Sequence, residues 1–238
     1  MLPAAIPYCG APPVPADLLA RWNFDVLLIL FLAMAFLLFR RLGARLVPLA
    51  ASATVLLVLF VSPLCALSSA LFSARVAHHV LLTAAAAPLL ALALPRGGGG
   101  HLAAWTLGHA AIFWAWHAPA AYAFALDSDP AYWLMEGSLF VSAVGFWRAV
   151  RAAPVPSGVA ALLATMMQMG LLGALLTFAG TPIYQWHFTA TQVWGLSPLQ
   201  DQQLSGLIMW VPGAGLYLLA ALRLANGWFD ERQRLAQA

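Results

Sequence analysis

Val159-Ala160-Ala161-Leu162-Leu163-Ala164-Thr165-Met166-Met167-Gln168-Met169-Gly170-Leu171-Leu172-Gly173-Ala174-Leu175-Leu176-Thr177-Phe178-Ala179 contains no charged side chain. Wound as a helix at about 1.5 Å per residue, it reaches about 30 Å, the thickness of a bilayer's hydrocarbon core. A helix pairs its own backbone amides, so it can cross lipid without orphaned N–H and C=O groups. Six more stretches read the same way, at about 24–39, 46–63, 76–95, 102–124, 131–148 and 202–225. Alternating strand patterns are absent. Over the 238 residues, 63% are hydrophobic and 8% charged, against roughly 25% charged in soluble domains. The expectation is an all-α polytopic membrane protein, a seven-transmembrane-helix bundle.

Breaks between the runs are short and carry turn residues or arginine: Arg40-Arg41, then Pro95-Arg96 with Gly97–Gly100, then Arg151 to Gly158. Residues 1–21 read as an extended Pro-rich outer tail, 22–229 as one transmembrane domain and 230–238 as a polar cytoplasmic tail. The first twenty residues hold five prolines and no basic residue, unlike a secretory signal. No internal repeat is found, which disfavours a repeat-built transporter.

All eleven basic residues are arginine. With the N-terminus outside and the C-terminus inside, nine fall inside (Arg40, Arg41, Arg45, Arg96, Arg148, Arg151, Arg223, Arg232 and Arg234) and two outside (Arg21, Arg75), as the positive-inside rule requires. The expected chain is multi-pass, with basic loops on a cytoplasmic face meeting anionic lipid and no call for nucleic acid. Absence of lysine excludes a retinal Schiff base and lysine-dependent covalent catalysis. No phosphate loop or serine elbow appears, so the chain is expected not to be an enzyme.

Polar residues gather toward the outer side: Asp25, Cys65, His78, His79, His117, Met135, Glu136, His187 and the Asp201-Gln202-Gln203 triplet. Imidazole, thioether and carboxylate groups at one depth suit a transition metal, and copper, as Cu(I), is the first expectation. His78, His79 and His117 are the imidazole candidates, and Met169 and Met209 the two sulfur candidates, with Glu136, Asp201 and Gln202 at the same side. His109, Met169, Cys65 and His187 rank lower. A single His at a span end is commonly just an interfacial residue. Three imidazoles on one side argue for more than that. His109, mid-span, reads first as a hydrogen-bonded packing residue and second as a haem ligand.

Met166, Met169, Gly170, Gly173, Thr177 and Gly180 form a helical stripe, and Gln202, Gly206, Met209 and Gly213 form another, so the last two spans are expected to touch through small residues. Methionines on such faces are more often gap-fillers than ligands. Pro212 should distort the last helix. Cys9 and Cys65 leave three readings: a disulfide, a thiolate ligand at Cys65, or plain buried residues, the last preferred.

The segment Leu199-Gln200-Asp201-Gln202-Gln203-Leu204-Ser205-Gly206-Leu207-Ile208-Met209-Trp210-Val211-Pro212-Gly213 closely resembles the signature of the CtaG-type assembly factors of bacterial cytochrome c oxidase, in the multi-span group named for caa-type oxidases. Further matches are Leu71-Phe72-Ser73-Ala74-Arg75 leading to His78-His79 and Ala87-Pro88-Leu89-Leu90, Trp116-His117-Ala118-Pro119 followed by Tyr122, and Thr181-Pro182-Ile183-Tyr184. The resemblance covers about 22–229. It implies a seven-helix protein of the bacterial cytoplasmic (inner) membrane that helps mature the oxidase by bringing copper to its haem–copper subunit, with a copper chaperone as a further partner; on that reading His79 and His117 are the principal ligands, His78 and Met209 stand beside them, and Asp201, Glu136 and Gln202 are charge partners or orienting groups. Members often carry two His four residues apart at the start of the third span; here Arg75 holds the first position and His79 the second, with His78 the substitute. An arginine there is tolerable only if Glu136 or Asp201 pairs with it. The alternatives are a metal-free scaffold for oxidase subunits and, more weakly, a haem-bearing electron carrier.

Overall fold

The computed structural model describes residues 6–95 and 100–237; residues 1–5 of the N-terminal tail, residues 96–99 (Arg96 and the first three glycines of the Gly97–Gly100 break) and Ala238 lie outside them. Among the described residues the chain is helical, with no strand. Helix α1 is Val26–Arg41, α2 Leu46–Val61, α3 Pro63–Ala70, α4 Phe72–Leu81, α5 Ala87–Ala93, α6 Leu102–His117, α7 Pro119–Asp127, α8 Asp129–Ala152, α9 Val155–Phe178, α10 Pro198–Ile208 and α11 Ala214–Gln237.

Their ends follow from local chemistry. The Asp25 carboxylate accepts from the Leu27 and Leu28 amides at 2.8 and 3.3 Å and starts α1. Ser197 and Gln200 form a reciprocal capping box for α10. Pro63 and Pro119 stand at the first turns of α3 and α7, and each pushes the residue before it out of the helical region. The expected span 46–63 therefore runs on through a bend of 51° into α3, and the expected 102–124 divides at Ala118. Pro88 and Pro212 lack an N–H. Beside them the helices widen into π turns, at Leu82–Ala86 and Met209–Gly213, so α4 joins α5 and α10 joins α11.

Helices occupy all seven expected segments. Three continuous runs, Phe72–Ala93, Val155–Phe178 and Pro198–Gln237, are long and apolar enough to cross a membrane, and Leu46–Val61 with Pro63–Ala70 makes a fourth if the bent pair is one span. Helices α1 and α6 have 16 residues each, about 24 Å. The run 72–93 is the most buried of the three; it packs against α2, α8 and α10, while α9 packs against α10 and α11. The two small-residue stripes do meet. A Cβ at Gly206 would stand 2.3 Å from the Thr177 Oγ1 and 2.5 Å from the Gly173 carbonyl oxygen, and one at Gly213 would stand 2.7 Å from the Met169 methyl. Backbones this close require glycine.

Cys9 and Cys65 form a disulfide, so the preferred reading of two plain buried cysteines is corrected. The bond draws the N-terminal tail onto the bundle, where Ser69 Oγ donates to the Gly10 carbonyl at 3.0 Å and Trp194 Nε1 to the Pro13 carbonyl at 3.1 Å. Tyr8 stacks on Tyr132 and donates to Asp25 at 2.6 Å, which holds the Asp25 carboxyl below its usual range.

Candidate functional site

Spacing of three and four residues puts Arg75, His78 and His79 on one face of α4, and Tyr132 and Glu136 share a face of α8. The two faces meet. Arg75 and Glu136, 0% and 1% exposed, form an ion pair at 3.0 Å, and the guanidinium lies 5.2 Å over the Tyr132 ring. His79 Nε2 lies 3.1 Å from the same Glu136 Oε1, and His78 Nε2 lies 3.6 Å from Oε2. A carboxylate only accepts, so His79 donates from Nε2 and keeps its lone pair on Nδ1. His117, from α6, donates Nδ1–H to the Phe113 carbonyl at 2.7 Å, which leaves the lone pair on Nε2. Its ring centroid is 6.0 Å from that of His79, and His79 is 6.0 Å from His78.

Burial without full pairing marks this cluster. Both nitrogens of His78, Nδ1 of His79, Oε2 of Glu136 and two guanidinium nitrogens of Arg75 are buried with no hydrogen-bond partner. Buried polar groups are seldom left so, and concentrations of them point to function. Among the described residues no three His, Cys, Asp or Glu are yet grouped to hold a metal ion. His78, His79 and His117 nonetheless stand in a row, each ring centroid 6.0 Å from the next.

The remaining candidates lie elsewhere. The Asp201 carboxylate accepts from the amides of Phe72 and Ser73 at 2.7 and 3.1 Å and from the Ser73 hydroxyl; it caps α4, and its partners are that helix's first amides. Gln202 accepts from the Ile183 amide at 2.8 Å and donates to the Thr181 carbonyl at 3.3 Å, tying down the loop before α10. Met169 and Met209 are buried in the apolar core. His109 pairs with Ser142 Oγ at 2.9 Å and stacks on Phe146. His187, in the loop after α9, accepts from Tyr122 at 2.8 Å and donates to the Ala70 carbonyl at 3.1 Å; burial pushes it down to about 4. The disulfide leaves Cys65 no thiolate to offer a metal. Arg75, counted above as an outer-loop cation, is the buried partner of Glu136. Its spacing to His78 and His79 was the signal that placed it with them. Tyr132 and Ser73 escape a search for metal ligands because neither is one.

Residues 100–231, more than half of the chain, match the family described as cytochrome c oxidase caa3 assembly factor. The match takes in His117, Glu136, Asp201, Gln202 and Met209; α4 precedes it. No curated protein and no solved structure matches the chain.

Proposed function

The chain belongs to the cytochrome c oxidase caa3 assembly factors, and from that premise we propose that it is a non-enzymatic carrier that holds Cu(I) as cargo toward the outer side of the cytoplasmic membrane. His79 and His117 are the principal ligands and His78 the third. Ligand exchange passes the ion to the haem–copper subunit of the oxidase, and a copper chaperone supplies it. The observation that carries this reading is the set of buried imidazole nitrogens without partners around Glu136. Cu(I) accepts two or three neutral imidazoles, and Arg75 already neutralises the carboxylate, which leaves Glu136 to orient His79 and lets the cargo bind as a readily exchanged monocation. Met209 is a thioether reserve on the seam between α9 and the last helix.

In this reading the seven helical segments are seven spans with the N-terminus outside. Arginine placement supports it: with Arg75 in the core, Arg21 is the one outer arginine against the nine inner ones. A disulfide near the outer ends of α1 and α2 fits an oxidising exterior.

One observation favours a second reading, a metal-free scaffold that docks oxidase subunits: the Arg75 guanidinium supplies a permanent cation where a metal would bring its own. Loading the detergent-purified protein with Cu(I) under reducing conditions, wild type beside His79→Ala/His117→Ala, separates the two. Near-stoichiometric copper that the double variant loses is the expected result. No copper in either protein overturns the carrier and leaves the scaffold.

A further inference from the structure

The chain has two cysteines, and their sulfurs do not sit in plain apolar packing. Tyr132, 1% exposed, has its hydroxyl 3.5 Å from Cys9 Sγ; a disulfide sulfur carries no hydrogen, so the phenol donates. Asn23 gives one amide hydrogen to the Phe60 carbonyl at 3.2 Å and offers the other to Cys65 Sγ, 4.0 Å away. Ser68 also stands 4.0 Å from Cys9 Sγ, but it spends its single hydrogen on the Cys65 carbonyl at 2.6 Å. Each sulfur therefore faces one free donor. A disulfide sulfur is a weak acceptor, a poor partner for a buried phenol, whereas a thiolate in its place would make a charge-assisted bond. The Arg75 guanidinium, 5.2 Å from the Tyr132 ring, adds a permanent cation beside that donor.

We propose that Cys9 and Cys65 form a redox-gated Cu(I) site where the N-terminal tail meets the bundle: closed as a disulfide the pair binds no metal, and reduced it holds one Cu(I) between two thiolates. A dithiol reductant opens it. The S–S bond breaks as two electrons and two protons pass to the cysteines, and the reductant's own two thiols join as a disulfide. Cu(I) then displaces the thiol protons to solvent. Access comes from the tail, because with the S–S bond gone Cys9 lies on a segment held by single hydrogen bonds from Ser69 and Trp194, while Cys65 stays in α3. The ligand set selects the ion. Cα atoms 5.2 Å apart let both side chains reach one atom, and among the described residues no third His, Cys, Asp or Glu is grouped with them. A structural zinc site asks for four ligands, whereas soft thiolates select Cu(I). This site goes beyond the imidazole reading and uses none of its ligands.

The test loads the detergent-purified wild-type protein with Cu(I) in two forms, without oxygen and with ascorbate, which keeps copper reduced and leaves disulfides closed. One form is untreated; the other is first opened with a phosphine, which is then removed. Expected is one further copper ion per chain in the opened form, with sulfur ligands in its X-ray absorption spectrum, and no comparable gain when zinc is offered instead. Cys9→Ser/Cys65→Ser should gain nothing on phosphine treatment. His79→Ala/His117→Ala should keep the sulfur-bound ion, so failure of the imidazole reading shows in the untreated form and failure of this one in the difference between forms. Equal copper in both forms, added copper bound by nitrogen alone, equal uptake of zinc, or a gain that survives in the serine variant would each overturn the proposal. The main comparison is made within the wild-type protein, so it stands even if a variant misfolds.

Discussion

A guanidinium with no exposed surface, 3.0 Å from a carboxylate that is 1% exposed, is held by a partner whose loss would strand it. Removing either member leaves a buried charge uncompensated, which costs about 3–5 kcal/mol, whereas replacing both by apolar side chains of similar size costs far less. Arg75→Met and Glu136→Leu should each lower unfolding stability in detergent by that amount, and the double variant should recover most of it; additive losses would show that the two do not act as a pair. His187 sets a different dependence. Burial holds its folded value at about 4, below the roughly 6.5 of an exposed imidazole, so the unfolded chain binds the extra proton. The stability this loop contributes is complete above about pH 6.5 and declines as pH falls toward 4, because protonated His187 can no longer accept from Tyr122. Comparing thermal unfolding of wild type and His187→Gln across that window should show a steeper decline in wild type.

Asp201 acts on an element rather than on a ligand. Its carboxylate takes the first amides of α4, the helix that carries Arg75, His78 and His79. Asp201→Ala should cost about 2 kcal/mol, the scale of a lost charged cap, and Asp201→Asn less, measured by thermal unfolding. Gly206→Ala should cost about 3 kcal/mol, since its Cβ would meet the Gly173 carbonyl at 2.5 Å, while Gly108→Ala, with nothing within 4 Å, should be neutral or slightly stabilising in the same assay. The helices were legible because uncharged apolar runs have few alternatives to a helix, and the glycine seam was legible because 3.6-residue periodicity fixes a face. The break before Pro119 is lost when apolar length is read past a proline, and ending the second span at residue 63 leaves out α3, which continues beyond the bend at Pro63. Arg75 counts as an outer cation when the third span begins at residue 76, one position beyond it, while the helix begins at Phe72; of the two partners its place beside the histidines called for, the structure supplies Glu136. The role of Asp201 could not be read at all, since its acceptor bonds join residues 128 and 129 positions apart and single-sequence spacing carries no such pairing.

At the scale of the whole molecule, the polar cluster is enclosed by apolar helices and roofed by the N-terminal tail. Tyr8 and Cys9 lie against Tyr132, the ring beneath Arg75. Cys9→Ser/Cys65→Ser should lower unfolding stability by about 2–4 kcal/mol, the usual effect of freeing a long loop, and reductant should shift wild type but not the double variant. That bond also settles a question of parity. Two sulfurs can join only in one compartment, so residues 9 and 65 lie on the same side of whatever separates them, and the chain between must cross an even number of times. If α1 goes over, α2 comes back: the pair is a closed hairpin whose count is fixed by a covalent bond, and a reagent that reaches Cys9 in the reduced protein should reach Cys65 from the same face.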